Sequence, residues 1–237
     1  KLFSLNKLAA RFYNYLLTDT NMGEEALNYL KERGFNDQDI KKFHLGYAAD
    51  EWRLLLNFLK KKGFSLHLME KAGLISSGKN NSHYDKFRNR VIFPIFNNRG
   101  EVIAFGGRIL DTEDSYGPKY LNSPETPIFS KKKNLYGLHL AKDAIREKNS
   151  CIIMEGYTDV IQAHKKGFEN SIASLGTAFT EDQAKLIKRY AENAYIAYDA
   201  DTAGNKATLR GLDILSQTGI NVKVIQLEEG SDPDQLL

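Results

Sequence analysis

The chain has 237 residues, of which 42% are hydrophobic and 27% charged, values that are usual for one large or two smaller globular domains. Its apolar runs are shorter than the ~20 residues that a membrane-spanning helix needs, so we expect no membrane partner. The single cysteine, Cys151, excludes a disulfide framework and a multi-cysteine zinc site within this chain, and it favours a reducing, cytoplasmic location.

The net charge of +3 is unevenly distributed along the chain. Residues 1–148 carry 25 Lys and Arg against 17 Asp and Glu, a net charge of +8, whereas residues 149–237 carry 8 against 13, a net charge of −5. This division suggests a surface that binds polyanions beside one that binds cations, although an uneven solvated surface is the alternative. Because the chain begins at Lys1 and shows no signal peptide, we expect it to be a piece of a longer protein.

Residues 1–148 are predicted to form an α+β domain, with helices followed by a small antiparallel sheet. Apolar residues recur at helical spacing in five segments, 5–18, 24–33, 37–43, 51–62 and 65–72. A polar stretch at 76–90 is predicted to be a loop, and 91–110 to be two strands joined at 97–100. A loop at 111–134 and a helix at about 136–148 follow.

Residues 149–237 are predicted to form an α/β domain. Short apolar segments that begin near residues 151, 170, 193 and 220 alternate with helical segments at 157–167, 180–192 and 202–219. This β-α-β-α-β-α-β order with short connections is typical of a parallel sheet covered by helices on both faces. Thr180 and Gln183 match the spacing of a capping box at the start of a helix.

Carboxylates follow three of the four predicted strands, and the carboxyl ends of parallel strands meet at one edge of a sheet. Such a cluster repels itself unless a cation binds, and oxygen ligands favour Mg²⁺, with Mn²⁺ as a substitute, over zinc. Each carboxylate could instead cap the helix that follows it. The candidate metal ligands are Glu155, Asp159, Asp199, Asp201, Asp232 and Asp234.

Several motifs resemble known families. The toprim domain, shared by bacterial primases, topoisomerases and some nucleases, is similar to EGYTDVI at 155–161, YDADTAGNKA at 198–207 and SDPDQLL at 231–237. Bacterial DNA primases are similar also to FRNRVIFPIFNNRGEVIAFGGR at 87–108, PKYLNSPET at 118–126 and ASLGTAFT at 173–180. The resemblance implies the RNA polymerase core of a primase, which makes short RNA primers on single-stranded DNA during replication by metal-assisted nucleotidyl transfer. The zinc-binding and helicase-binding domains of that family are absent from this chain.

The resemblance also implies roles for individual residues. Glu155, Asp199 and Asp201 would be catalytic, with Glu155 either a metal ligand or a general acid/base. Cations mixed with aromatic residues suit phosphates and stacked bases, although a solvated basic loop is the alternative. The candidate nucleotide- and nucleic-acid-binding residues are Arg88, Arg90, Arg108, Lys119, Tyr120, Asn122 and Lys131.

The implied partners are a single-stranded DNA template, nucleoside triphosphates and the nascent RNA primer, together with a replicative helicase that binds through the absent domain. A site for triphosphates would also accept regulatory guanine nucleotides, and we expect the chain to be monomeric. Two alternatives stay open. One is a toprim nuclease or topoisomerase fragment, which would cut or rejoin strands, and the other is a non-enzymatic module that senses nucleotides or holds DNA.

Overall fold

The structure is a computed structural model that describes residues 1–110, 117–176, 179–198 and 202–225. The helices are α1 (Leu2–Thr18), α2 (Glu24–Glu32), α3 (Asp37–Lys42), α4 (Leu54–Lys61), α5 (Leu66–Lys71), α6 (Leu138–Lys148), α7 (Tyr157–Lys165), α8 (Glu181–Lys188) and α9 (Thr202–Gln217). The strands are β1 (Gly46–Ala48), β2 (Ile75–Ser77), β3 (His83–Asp85), β4 (Arg90–Phe96), β5 (Val102–Ile109), β6 (Tyr120–Asn122), β7 (Ser150–Met154), β8 (Ser171–Ala173), β9 (Asn193–Ala197) and β10 (Asn221–Val224).

The chain packs as two compact units that are not continuous in sequence. The first unit contains Lys1–Ile95 and Glu101–Phe129, and the second contains Phe96–Gly100 and Ser130–Leu237. These units describe packing alone, so the functional division between residues 148 and 149 stays a prediction.

In the first unit, a small sheet with the strand order β1-β4-β5-β6 forms the centre. Every residue of β4 and β5 is buried, because α1 packs against β1 and β5 and covers the sheet. Tyr13 of α1 contacts Phe105 of β5 edge to face, with 5.6 Å between the ring centroids. Helices followed by a small antiparallel sheet confirm the α+β prediction.

Three short strand regions of this unit were not predicted. β1 lies in the stretch predicted as wholly helical, and β6 lies in the predicted loop at 111–134. β2 and β3 pair antiparallel, with Ile75 opposite Asp85, so the loop predicted at 76–90 is also wrong there. Each of these strands has three residues, which is too short for an alternating apolar pattern to show.

In the second unit, the parallel sheet is confirmed. Its strand order is β10-β9-β7-β8, and all three neighbouring pairs are parallel. The flanking helices bury apolar side chains against it in one cluster that includes Ile145, Ile153, Ile187 and Ile196. The predicted helices at 157–167, 180–192 and 202–219 are α7, α8 and α9.

The tip of the β4–β5 hairpin belongs to the second unit. Phe96 stacks on His139 with 4.2 Å between the ring centroids. The amide of Asn98 donates to the Tyr190 hydroxyl at 3.3 Å, and its carbonyl accepts from Lys142 at 3.1 Å. Separately, none of the helices within the described ranges is both long and apolar enough to cross a bilayer.

Candidate functional site

The carboxyl ends of β7 and β9 lie side by side in the parallel sheet. Met154 is paired with Ala197, so Glu155 and Tyr198 follow next to each other at one edge. Burial raises the pKa of Tyr198, and the negative charge of Glu155 raises this pKa further. The edge therefore holds the half-buried Glu155 carboxylate where the sequence predicted it.

The other strand-end carboxylates cannot be placed in the same way. Asp199, Asp201, Asp232 and Asp234 lie outside the described residues. Tyr198 ends the described part of the third strand segment, immediately before Asp199. The predicted convergence of the acidic residues at this edge therefore stays a prediction for these four.

Asp159 has a well-defined structural role in the first turn of α7. One carboxylate oxygen accepts the backbone N–H of Gly156 at 2.8 Å, and the other accepts the Thr158 hydroxyl at 3.3 Å. A Cβ atom at Gly156 would lie 2.8 Å from the same Asp159 oxygen, so a larger residue would displace the carboxylate. Asp159 thus closes the start of the helix, which is the alternative to metal binding that the sequence left open.

The donor chemistry at this edge fits a hard cation, since Glu155 and Asp159 supply carboxylate oxygens. Among the residues that the structure describes, no group of three or more His, Cys, Asp or Glu side chains is arranged to hold a metal ion. A complete site would therefore need ligands from the undescribed segments that carry the four remaining aspartates.

A second feature lies in the first unit, around Arg88. Its guanidinium lies 4.3 Å from the ring centroid of Trp52 and 5.2 Å from that of Tyr84. The two rings contact each other edge to face at 5.6 Å, and the Trp52 side chain is 63% exposed. We call Trp52, Tyr84 and Arg88 the Trp52 surface. The sequence singled out Arg88 alone, because Trp52 falls where a helix was predicted and Tyr84 where a loop was predicted.

Arg90, unlike Arg88, is buried, with 4% of its surface exposed. Its guanidinium donates to the carbonyl oxygens of Pro118 at 2.9 Å, Gly107 at 3.2 Å and Lys119 at 3.4 Å. Burial lowers the pKa of Arg90, and the positive charge of Arg88 lowers it further. A Cβ atom at Gly107 would lie 3.0 Å from Arg90 Cδ, so glycine is needed there. Arg90 therefore holds the backbone of Lys119 in place beside β6.

Arg108 stacks on Tyr29, with 4.5 Å from its guanidinium to the ring centroid. Arg33 approaches the same ring at 5.8 Å and donates to the Tyr29 hydroxyl at 3.0 Å. Burial raises the pKa of Tyr29, while the two arginines oppose this shift. Tyr29 and Arg33 thus join the predicted Arg108, and an aromatic residue four positions before an arginine on α2 was the signal in the sequence.

The remaining basic candidates lie on two segments. Tyr120 of β6 pairs with Arg108 of β5, and Asn122 pairs with Gly106. Lys119 and Tyr120 are exposed. Lys131 belongs to the second unit, where its carbonyl oxygen accepts from the amide of Gln183 at 3.0 Å.

The segment that follows Lys131 is held at the start of α8. The fully buried Gln183 also donates to the Asn134 carbonyl at 2.9 Å, and the Thr180 hydroxyl donates to the Lys132 carbonyl at 2.6 Å. Thr180 and Gln183 form the predicted capping box, which is confirmed. The same two residues therefore close α8 and fix the backbone that carries Lys131.

Comparison with known proteins gives consistent matches over the whole chain. The family model described as the DNA primase catalytic core, N-terminal domain, matches residues 12–142, and a toprim-like model matches residues 152–237. The DNA primase of Clostridium acetobutylicum is 52% identical over 239 residues, which cover 100% of this chain and 38% of that protein. The chain thus spans well under two thirds of the length of such curated relatives.

Solved structures match as well. A DNA primase domain from Pseudomonas aeruginosa has a TM-score of 0.92 and 40% identity, and the match covers 100% of this chain and 74% of that one. A DnaG primase catalytic domain bound to single-stranded DNA has a TM-score of 0.88 and 37% identity, covering 99% of this chain and 73% of that one.

Proposed function

The chain belongs to the DNA primase family, and from this premise we propose that it is a DNA-directed RNA polymerase that makes short RNA primers on single-stranded DNA. The observation that supports this activity most directly is the sheet edge at which Glu155 and Tyr198 lie side by side, immediately before the Asp199-x-Asp201 motif. Carboxylates at the carboxyl ends of parallel strands suit nucleotidyl transfer.

The proposed reaction is attack of a ribonucleotide 3′-hydroxyl on the α-phosphate of the next nucleotide, with pyrophosphate leaving. A divalent cation, Mg²⁺ with Mn²⁺ as a substitute, would lower the pKa of the attacking hydroxyl and offset the charge of the leaving group. The residues proposed to hold it are Glu155, Asp159, Asp199, Asp201, Asp232 and Asp234.

The chain's own residues prepare this edge. Glu155 lies half-buried beside the buried Tyr198, so its carboxylate is partly removed from water and would gain from a bound cation or from sharing a proton. Either role, ligand or general acid/base, follows from this position. The bonds of Asp159 to Gly156 and Thr158 fix its carboxylate before any ligand binds, which reduces the entropy cost of binding.

The first unit is proposed to bind the template and the nucleotides. The Trp52 surface offers an exposed ring for base stacking beside a guanidinium for phosphate, the combination typical of sequence-independent single-strand binding. The cluster around Arg108, with Lys119, Tyr120 and Asn122, is proposed to contact triphosphates or the nascent primer, and so is Lys131. Arg90 would act through Lys119, whose backbone it holds.

The test of the activity uses Glu155→Gln, which removes the charge with little change in shape. We expect primer synthesis on single-stranded DNA with Mg²⁺ to fall by about 100-fold or more. The matched control is Glu192→Gln, because Glu192 is exposed and precedes β9 at the opposite edge of the sheet. Equal activity of the two variants would contradict the assignment of the site.

The two alternatives are separated by the products. Incubation with labelled ribonucleotides and unlabelled single-stranded DNA should yield extended RNA, whereas a nuclease or topoisomerase would shorten or rejoin the DNA. The comparisons do not favour that alternative, since the curated relatives carry the name DNA primase. A non-enzymatic module would bind DNA and nucleotides equally well in wild type and in Glu155→Gln, and neither protein would form product.

Further partners follow from the family and are proposals for this chain. A replicative helicase would bind through a domain that this chain does not include. Regulatory guanine nucleotides would compete with triphosphates at the basic site, and the protein would act as a monomer at the replication fork in the cytoplasm.

A further inference from the structure

Asp85, the last residue of β3, makes four hydrogen bonds that join separate parts of the first unit. Its backbone N–H donates to the carbonyl of Trp52 at 2.7 Å. Its two carboxylate oxygens accept the backbone N–H groups of Leu55 at 2.7 Å and Leu56 at 2.9 Å. Its backbone carbonyl accepts from the Arg88 guanidinium. The side chain is almost fully buried, with 2% of the residue exposed.

These bonds determine where α4 begins. The residue before the helix, Arg53, provides no side-chain cap, so the first free N–H groups of α4 need another acceptor. Asp85 supplies it from 30 residues away along the chain. A carboxylate at this position also interacts favourably with the positive end of the helix dipole.

The same bonds reach both ends of the Trp52 surface. Trp52 lies two residues before α4 and is held through its carbonyl, while Arg88 is held through its guanidinium. Tyr84, the third member, precedes Asp85 directly in β3. Each of the three residues is therefore tied to Asp85 by a hydrogen bond or by a peptide bond.

We propose that Asp85 is a positioning residue that holds Trp52 and Arg88 in the stacked arrangement in which they bind single-stranded nucleic acid. This inference rests on the proposed function of the Trp52 surface. Asp85 itself is buried and does not contact the nucleic acid, and its effect is to spare the protein the entropy cost of ordering the stacked pair on binding.

The chemistry of the pocket explains why a carboxylate is required. Leu55 and Leu56 present two N–H donors, and only a carboxylate offers two acceptor oxygens. An asparagine would keep one bond and place an NH₂ group against the other donor. The charged or titratable groups around Asp85 are Arg88, Tyr13 from α1 and His83 on β3, while α4 contributes backbone N–H groups. The small cavity beside the carboxylate is otherwise lined by apolar residues such as Phe12 and Leu16.

The test uses the fluorescence of Trp52, which is the single tryptophan of the chain. In wild type, a short oligothymidylate should quench the emission as it binds. In Asp85→Asn, we expect a shifted emission in the free protein and an affinity for the oligothymidylate that is about tenfold lower. Asp143→Asn is the matched control, because Asp143 is exposed and lies in the second unit, and it should leave both quantities unchanged.

A steady-state measurement separates positioning from a general loss of structure. The KM for template should rise in Asp85→Asn, while the KM for ribonucleotide stays at its wild-type value. Asp85→Glu keeps both acceptor oxygens but moves them by one methylene group, and should fold and bind with intermediate affinity. If Asp85→Asn does not fold, Asp85→Glu alone provides the test.

Two outcomes are distinguishable. A folded variant with wild-type emission and wild-type affinity for the oligothymidylate would overturn the role of Asp85 and leave the proposed function intact. If oligothymidylate binds to wild type without any change in Trp52 emission, the Trp52 surface is not the binding surface, and the inference fails with it.

Discussion

Burial raises the pKa of Asp85 to about 6, although the N–H groups of Leu56 and Leu55 and the charge of Arg88 oppose this shift. An unfolded aspartate has a pKa of about 3.9. The folded protein therefore binds a proton at this group more tightly than the unfolded chain does. Between these two values, deprotonation favours the unfolded state, so the contribution of Asp85 to stability falls as the pH rises from about 4 to 6.

This linkage can be measured by urea unfolding at several pH values. The free energy of unfolding of wild type, relative to that of Asp85→Asn, should decrease by about 3 kcal/mol between pH 4 and pH 7. Taking the difference between the two proteins removes the contribution of other carboxylates. A carboxyl carbon of Asp85 that titrates near 4 by NMR would contradict the prediction.

Asp159 combines a structural bond with a proposed charge, and one substitution separates them. Asp159→Asn keeps an oxygen that can accept the N–H of Gly156, but it removes the negative charge. We expect the free energy of unfolding to change by less than about 1 kcal/mol, while primer synthesis falls sharply. Urea unfolding and a primer assay measure the two effects. Full activity in this variant would show that the carboxylate only closes α7.

At the scale of elements, the helices and the parallel sheet could be predicted because their apolar residues recur with a clear period. The start of α4 shows why other boundaries could not. The apolar pattern begins near residue 51, but the helix begins at Leu54, where Asp85 accepts its first N–H groups. Such a boundary is decided by a contact between residues 30 positions apart, and no local pattern records it.

The candidate site divides in the same way. Glu155 could be predicted because it follows an apolar strand in a recognisable motif. Arg90 was predicted from its charge, yet the structure buries it against three carbonyl groups. Trp52 was missed, since its exposure depends on how β3 meets α4. Composition identifies the residue types of a binding surface, whereas packing decides which of them face solvent.

The capping box of α8 provides a prediction at this scale. Gln183 is fully buried and donates to two carbonyl groups of the segment that carries Lys131. Gln183→Ala would leave these acceptors without their donor, so we expect a loss of about 2–3 kcal/mol in the free energy of unfolding. Amide exchange of residues 131–134 should become faster. Gln217→Ala, at an exposed position on α9, is the control and should change neither measurement.

At the scale of the whole molecule, the excess of positive charge in residues 1–148 predicts how DNA binding depends on salt. Each phosphate contact to a single strand contributes about 0.7 to the slope of log K against log salt. Arg88→Gln should therefore reduce the slope by nearly one. Trp52→Leu should lower the affinity through lost stacking, worth about 1–3 kcal/mol, without changing the slope. Fluorescence anisotropy of a labelled oligonucleotide at several salt concentrations distinguishes the two, and equal slopes in wild type and Arg88→Gln would contradict the phosphate contact.

The hairpin tip has a consequence for modularity. The chain passes between the two units three times, after residues 95, 100 and 129, so a single cut cannot separate them. A fragment of residues 149–237 would lack α6, whose Leu138, Ala141 and Ile145 contribute to the core of the second unit. It would also lose Asn98 as the partner of Tyr190. Transplanting this catalytic fold into another protein would therefore require two donor segments from upstream, and evolution faces the same constraint when such domains are shuffled.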